Sequence, residues 1–379
     1  MLDPQAFVAS LRRHGVEFFT GVPDSLLKEL CACVTQTSPP HQHIIAANEG
    51  GSVALAIGYH LATGRIPLVY LQNSGLGNVV NPLLSLADPD VYSVPMLLLV
   101  GWRGEPGVHD EPQHKKQGRV MGPLLEAMEI PCYVLGPDLE HADGVIHDAV
   151  AKARSLNGPV ALLVKSGTFH LFKGAPAEPP AFPLSREDAI RLVIGALGEQ
   201  DIVVSTTGMI SREVFECRVQ RGEGHHRDFL TVGGMGHASQ IALGIALQKP
   251  ERRVCCLDGD GALLMHLGAL CITGSLRPAN FLHIVLNNGA HDSVGGQPTV
   301  GLHVDLGGFA RAAGYAQIQA AETAEAVRAH VCTLATAPGP NLLEIRVRRG
   351  ARKDLGRPTT KPVENKAAFM GFLSGTPRA

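Results

Sequence analysis

Along the chain, short apolar runs alternate with longer segments whose apolar residues recur at helical spacing, and the alternation happens twice. In the first half the runs lie near Phe18–Thr20, His43–Ala47, Pro67–Gln72, Pro95–Val100, Cys132–Leu135 and Pro159–Lys165. In the second they lie near Ile202–Ser205, Phe229–Val232, Arg253–Leu257, Phe281–Leu286 and Asn341–Val347. Strands separated by helical segments pair in parallel, so the pattern predicts an α/β chain of two doubly wound parallel-sheet domains. Lys173 to Pro183 is rich in proline and poor in bulky apolar residues, and reads as a linker. The expected organisation is a first domain over 1–170, a linker over 171–185, a second domain over 186–350 and a tail over 351–379. The tail is basic and weakly patterned, suited to docking on a neighbour or to lacking fixed structure.

Two helical segments, Gly50–Gly58 and Gly236–Ala246, consist largely of small residues. Such a surface admits close backbone approach, either to another helix at a domain or subunit interface or to the helix's own sheet.

Composition narrows the function classes. A net charge of -2 over 379 residues argues against a polyanion-binding or membrane-surface role. No apolar run approaches the length of a membrane span, and Met1 to Ser10 lacks the basic and apolar pattern of a secretory signal, so a cytoplasmic protein is expected. The eight cysteines are scattered; Cys255 and Cys256, adjacent on an expected strand, point to opposite faces as reduced core residues.

The chemistry lies at the ends of two of the apolar runs. Leu257-Asp258-Gly259-Asp260-Gly261 and Leu286-Asn287-Asn288-Gly289 close two strands joined by one helical segment, Ala262 to Thr273, so parallel pairing brings both turns to one carboxyl edge. A hard cation takes oxygen ligands and shares them with phosphates; Asp260, the side chain of Asn288 and the backbone near Ala290 offer three. Gly259, Gly261 and Gly289 permit tight turns and close approach of a diphosphate to main-chain amides. Singly, Asp260 reads as a helix N-cap and the asparagine pair as a turn; together they form a metal and diphosphate clamp.

A Gly-Asp-Gly followed after fewer than thirty residues by Asn-Asn resembles the motif of thiamine diphosphate enzymes. The resemblance implies a pyrimidine-binding domain followed by a diphosphate-binding domain, with thiamine diphosphate and Mg²⁺ as cofactors. It also implies a catalytic glutamate in the other domain, which Glu49 of Ala47-Asn48-Glu49-Gly50-Gly51 matches. In such enzymes this carboxylate exchanges a proton with the aminopyrimidine and thereby drives deprotonation of the thiazolium carbon. By position alone, Glu49 also reads as an acid favoured at a helix start. Met235, in Gly233-Gly234-Met235-Gly236, matches the apolar wedge that bends the cofactor, with Gly233 beside it; a core-filling methionine is the alternative. Thr207 and Gly208 match a diphosphate-contacting turn, or a plain N-cap.

Only the linker stands between Lys165 and Arg186, so there is no middle domain. This compact order resembles the phosphonopyruvate and sulfopyruvate decarboxylases, through Thr20 to Lys28, Leu71 to Asn78, Gly101 to Gly104, Asp110 to His114 and Asn288 to Thr299. It implies a homo-oligomeric carbon–carbon lyase, at least a dimer, with its site between subunits. The substrate implied is a doubly anionic 2-oxo acid, with 3-phosphonopyruvate ahead of sulfopyruvate because sulfopyruvate enzymes are often split into two chains. A carboligating transferase would bring a middle domain, and a non-catalytic nucleotide-binding protein would have no use for Glu49. The stretch Gly101 to Arg119, read as a basic loop, offers Arg103 and His114 to the substrate anions. Asp24, His114 and Asp258 are further catalytic candidates, and Ser25 and Asp292 further substrate contacts.

Overall fold

The computed structural model describes residues 1–174 and 182–375, so residues 175–181 of the expected linker and 376–379 of the tail lie outside the described residues. The chain divides into two compact units, Met1–Ala177 and Glu178–Ala379.

The first unit contains β1 (Phe19–Gly21), β2 (His43–Ile45), β3 (Leu68–Gln72), β4 (Met96–Gly101), β5 (Cys132–Val134) and β6 (Pro159–Val164). All pair in parallel in the order β2-β1-β3-β4-β6-β5. Side chains alternate across the sheet, so central β4 divides its apolar residues between two cores: Leu97 and Leu99 on one face, Met96, Leu98 and Val100 on the other, all fully buried.

In the second unit β7 (Ile202–Ser205), β8 (Asp228–Leu230), β9 (Val254–Gly259) and β10 (Phe281–Asn287) precede a two-residue antiparallel ribbon, β11 (Ala290–His291) with β12 (Gln297–Pro298). Then follow β13 (Gln317–Ala321) and β14 (Asn341–Arg346). The parallel order is β13-β14-β10-β9-β7-β8. With each sheet's strands numbered along the chain, both sheets read 2-1-3-4-6-5. The switch point lies between strands one and three, where the connections leave in opposite directions and open a crevice at the carboxyl edge. Cys255 and Cys256 point to opposite faces, as expected.

Four local features depart from the sequence reading. Strand β13 is missing from it because the segment is polar and only partly buried at a sheet edge. The segment Ala262 to Thr273 is not one helix but two, Asp260–Met265 and Ala269–Leu276, interrupted at 266–268. The basic stretch is a loop only as far as Glu111; Pro112 starts a helix to Ala127, a position where its missing N–H costs nothing. The tail contains the helix Pro362–Leu373, packed on its own unit: Phe369 enters the core beside Phe229, and the Asn365 amide donates to Asp228 O at 2.8 Å and accepts from Leu230 N at 3.3 Å. Asn365 thus occupies the open hydrogen-bonding side of edge strand β8. Among the described residues, no helix is long and apolar enough to cross a membrane.

Candidate active site

In the second unit, β9 delivers Asp260 to the crevice as the first residue of a helix, 2% exposed. Burial pushes its carboxyl up to about 6, against hydrogen bonds from the Thr299 hydroxyl and the backbone of Asn288 and Gly261. The clamp's two halves therefore meet, as the spacing predicts. Asn288 is buried, its Oδ1 accepting from Ala290 N at 3.0 Å and its Nδ2 donating to Asp292 at 2.7 Å. The neighbouring Asn287 instead braces the turn, donating to Gly301 O and to Glu344, both at 2.8 Å.

Asp292 differs from the substrate contact expected of it. One of its carboxylate oxygens accepts from Arg186 Nη1 at 2.6 Å, from Asn288 and from Gly350 N at 3.0 Å. Arg186, 4% exposed, also holds Glu213 with two hydrogen bonds of 2.8 and 2.9 Å. Asp292 is thus a half-buried strut that orients the Asn288 amide. Arg186 and Glu213 lie far from Asp292 in sequence and carry no motif, so nothing local signals them.

The ends of β7 and β8 are fastened by Ser211, whose hydroxyl lies 2.7 Å from Thr206 O, 3.0 Å from Thr231 O and 2.9 Å from the Ser205 hydroxyl. Thr207 and Gly208 follow, half-buried, before the helix Met209–Gln220. Gly208 has φ 93° and ψ -134°, a conformation open to glycine alone. Gly233 and Met235 lie half-buried in the irregular segment between β8 and the helix Ala238–Gln248. Asp258 is fully buried; its Oδ1 accepts from Gly259 N at 3.0 Å, and its other oxygen faces the sheet interior rather than a substrate.

In the first unit, Glu49 opens the helix Glu49–Thr63 behind Asn48, whose side chain caps Gly51 N at 2.8 Å. Glu49 is 6% exposed, and burial raises its carboxyl above the usual range while a 2.7 Å hydrogen bond from Asn78 Nδ2 opposes the rise. The turn Asn73–Gly75 presses against it: a Cβ at Gly75 would lie 2.5 Å from Glu49 Oε1. The sequence reading passes over Asn78 and Gly75 as Glu49's partners, although both lie in the Leu71 to Asn78 turn.

Asp24, fully buried at the end of β1, accepts from Gln72 Nε2 at 2.6 Å and Leu26 N at 3.1 Å; burial raises its carboxyl in spite of these donors and of Arg103. Arg103 is already engaged. Its Nε and Nη2 grip Asp110 at 2.8 and 2.5 Å, and its Nη1 donates to Ser25 Oγ at 2.7 Å. That fork holds the Asp110 carboxyl far below the usual range. His114 is half-buried in the first turn of the helix Pro112–Ala127, while Lys115, Lys116 and Arg119 are exposed.

Two family models cover these elements: the thiamine pyrophosphate enzyme N-terminal TPP binding domain matches residues 4–122, and the C-terminal TPP binding domain matches residues 206–353. The chain is 34% identical to phosphonopyruvate decarboxylase of Streptomyces viridochromogenes, over all of this chain and 96% of that one. It is 33% identical to phosphonopyruvate decarboxylase of Streptomyces hygroscopicus, over 99% and 94%. Sulfopyruvate decarboxylase of Methanosarcina acetivorans is 30% identical over 83% of each chain. With a buried carboxylate opening a helix in one unit and an Asp–Asn pair at the crevice of the other, the chain belongs to the thiamine pyrophosphate enzymes, in the phosphonopyruvate decarboxylase family.

Proposed function

We propose that this enzyme decarboxylates 3-phosphonopyruvate to phosphonoacetaldehyde and CO2, a step of phosphonate biosynthesis, with thiamine diphosphate and Mg²⁺. The observation that carries the reading is Glu49: a buried carboxylate, pushed toward protonation by burial and fixed by Asn78 and Gly75, equipped to exchange a proton with a heteroaromatic nitrogen. Thiamine diphosphate, when bound, supplies a nucleophilic carbon for the keto group and an electron sink for the departing carboxylate.

The donor sets suit that cofactor. Asp260, the Asn288 side chain and the Ala290 carbonyl are hard oxygen donors for Mg²⁺, and the buried Asp260 carboxyl near 6 is the group that a nearby cation would ionise. Gly259 and Gly261 flank Asp260 and, with Thr207 and Gly208, offer backbone to the diphosphate; Gly233 and Met235 would contact the pyrimidine side. Asp24, held above the usual carboxylate range, is a proton donor for product release, with His114 of the same unit as a second candidate.

Arg103 acts indirectly: paired with Asp110, it aims the Ser25 hydroxyl. Substrate anions meet Ser25 and His114, with Lys115, Lys116 and Arg119 supplying net positive charge. A homo-oligomer, at least a dimer, is the assembly that the resemblance to thiamine diphosphate enzymes supports. Eight free cysteines suit a reducing, cytoplasmic setting.

The test supplies apo-protein with thiamine diphosphate and Mg²⁺, offers phosphonopyruvate, sulfopyruvate and pyruvate separately, and measures CO2. Phosphonopyruvate should be turned over fastest, and Glu49→Gln should bind the cofactor yet lose at least about 100-fold in kcat. Equal turnover of pyruvate, or an active Glu49→Gln, overturns the assignment.

A further inference from the structure

Beneath the crevice of the second unit, three side chains of metal-ligating type converge with no part in the site described above. Cys256 and Asp258 are two residues apart on β9 and so share a face; His283 on β10 pairs in register with Cys256 and joins them there. All three are fully buried. Their Sγ, carboxylate oxygen and imidazole nitrogen lie within 4.8 Å of one another.

We infer that Cys256, Asp258 and His283 form a second cation site, for a borderline-soft dication of the zinc class. The separation of Asp258 Oδ2 from His283 Nε2 is 3.4 Å. A charge-assisted hydrogen bond would draw them to about 2.7–2.9 Å. Two ligands on a tetrahedral ion with bonds of about 2.0–2.1 Å stand roughly 3.3 Å apart. Neither atom has a hydrogen-bond partner among the described residues, and buried polar atoms in that condition are rare. The opposite ends of both groups are anchored: His283 Nδ1 lies 3.2 Å from the Tyr315 hydroxyl, and Asp258 Oδ1 accepts from Gly259 N. Outer hydrogen bonds of this kind fix ligands for a metal.

The donor set selects the ion. One sulfur, one nitrogen and one oxygen suit zinc and repel magnesium, which keeps to oxygen, so the site does not compete for the ion at Asp260. Charge also balances: the thiolate, its proton released to solvent on binding, and the carboxylate together neutralise a dication at a fully buried position. A cation there ties β9 to β10 two residues before Asp260.

The full-length enzyme, isolated from cells grown with zinc or with cobalt, provides the test. Metal analysis should find about one zinc per chain that persists through removal of Mg²⁺, and the cobalt form should show a thiolate-to-cobalt charge-transfer band in the near ultraviolet. Cys256→Ser should abolish the band, His283→Asn should lower zinc at least about tenfold, and Cys271→Ser, at an exposed thiol, should change neither. Zinc below half an equivalent in the wild type, or a band that survives Cys256→Ser, overturns the site. The wild-type metal content decides even where a variant fails to fold.

Discussion

Asp260 shows how burial prepares a carboxylate for a cation. Its folded pKa of about 6 exceeds the ordinary 3.8, so the folded apo-protein binds that proton more tightly than the unfolded chain does. The stability gained is fully present below about 4 and lost as pH rises through about 6, up to roughly 3 kcal/mol. Asp260→Asn removes the titration. Urea unfolding of both apo-proteins should show the wild type losing stability relative to Asp260→Asn between pH 4 and 7, and Mg²⁺ with thiamine diphosphate should restore it. A difference that stays flat with pH would contradict the assigned burial effect. The proposed site residues are legible in sequence because turns and motifs are local. Their supports are less so: Thr299 reaches Asp260 from thirty-nine residues away and Arg186 reaches Asp292 from 106, distances at which no spacing rule operates.

At the level of elements, apolar strands with polar turns are visible because burial on both faces imposes near-continuous apolar sequence. Edge elements escape that rule. Strand β13 is half-exposed, and the tail helix Pro362–Leu373 presents a mixed surface, yet Phe369 is only 4% exposed. Phe369→Ala should therefore cost about 3 kcal/mol in urea unfolding, the usual toll of a buried aromatic truncation. A cost under about 0.5 kcal/mol would return the tail to the status of a loose appendage. The basic stretch teaches a related lesson: its charges look like a loop, but Pro112 supplies a helix start and leaves Arg103 on the loop side, neutralised by Asp110. Counting cations in a sequence does not reveal which are already paired.

Among the described residues, each unit has its own sheet and its own apolar clusters on both faces. Separate cores predict separate folding. Co-expressed fragments 1–177 and 178–379 should each fold and together recover decarboxylation, read as CO2 release; insoluble fragments would show that the units depend on one another. The common strand order carries a further meaning. One scaffold, used twice, supplies two equivalent crevices, between β1 and β3 and between β7 and β9. The two differ in what they carry: the first unit buries the carboxylates Asp24 and Glu49, proposed above to handle protons, and the second buries Asp260 and Asn288, proposed to hold charge-bearing ligands. On the proposed function, one architecture used twice divides the labour between an acid–base half and an anchoring half.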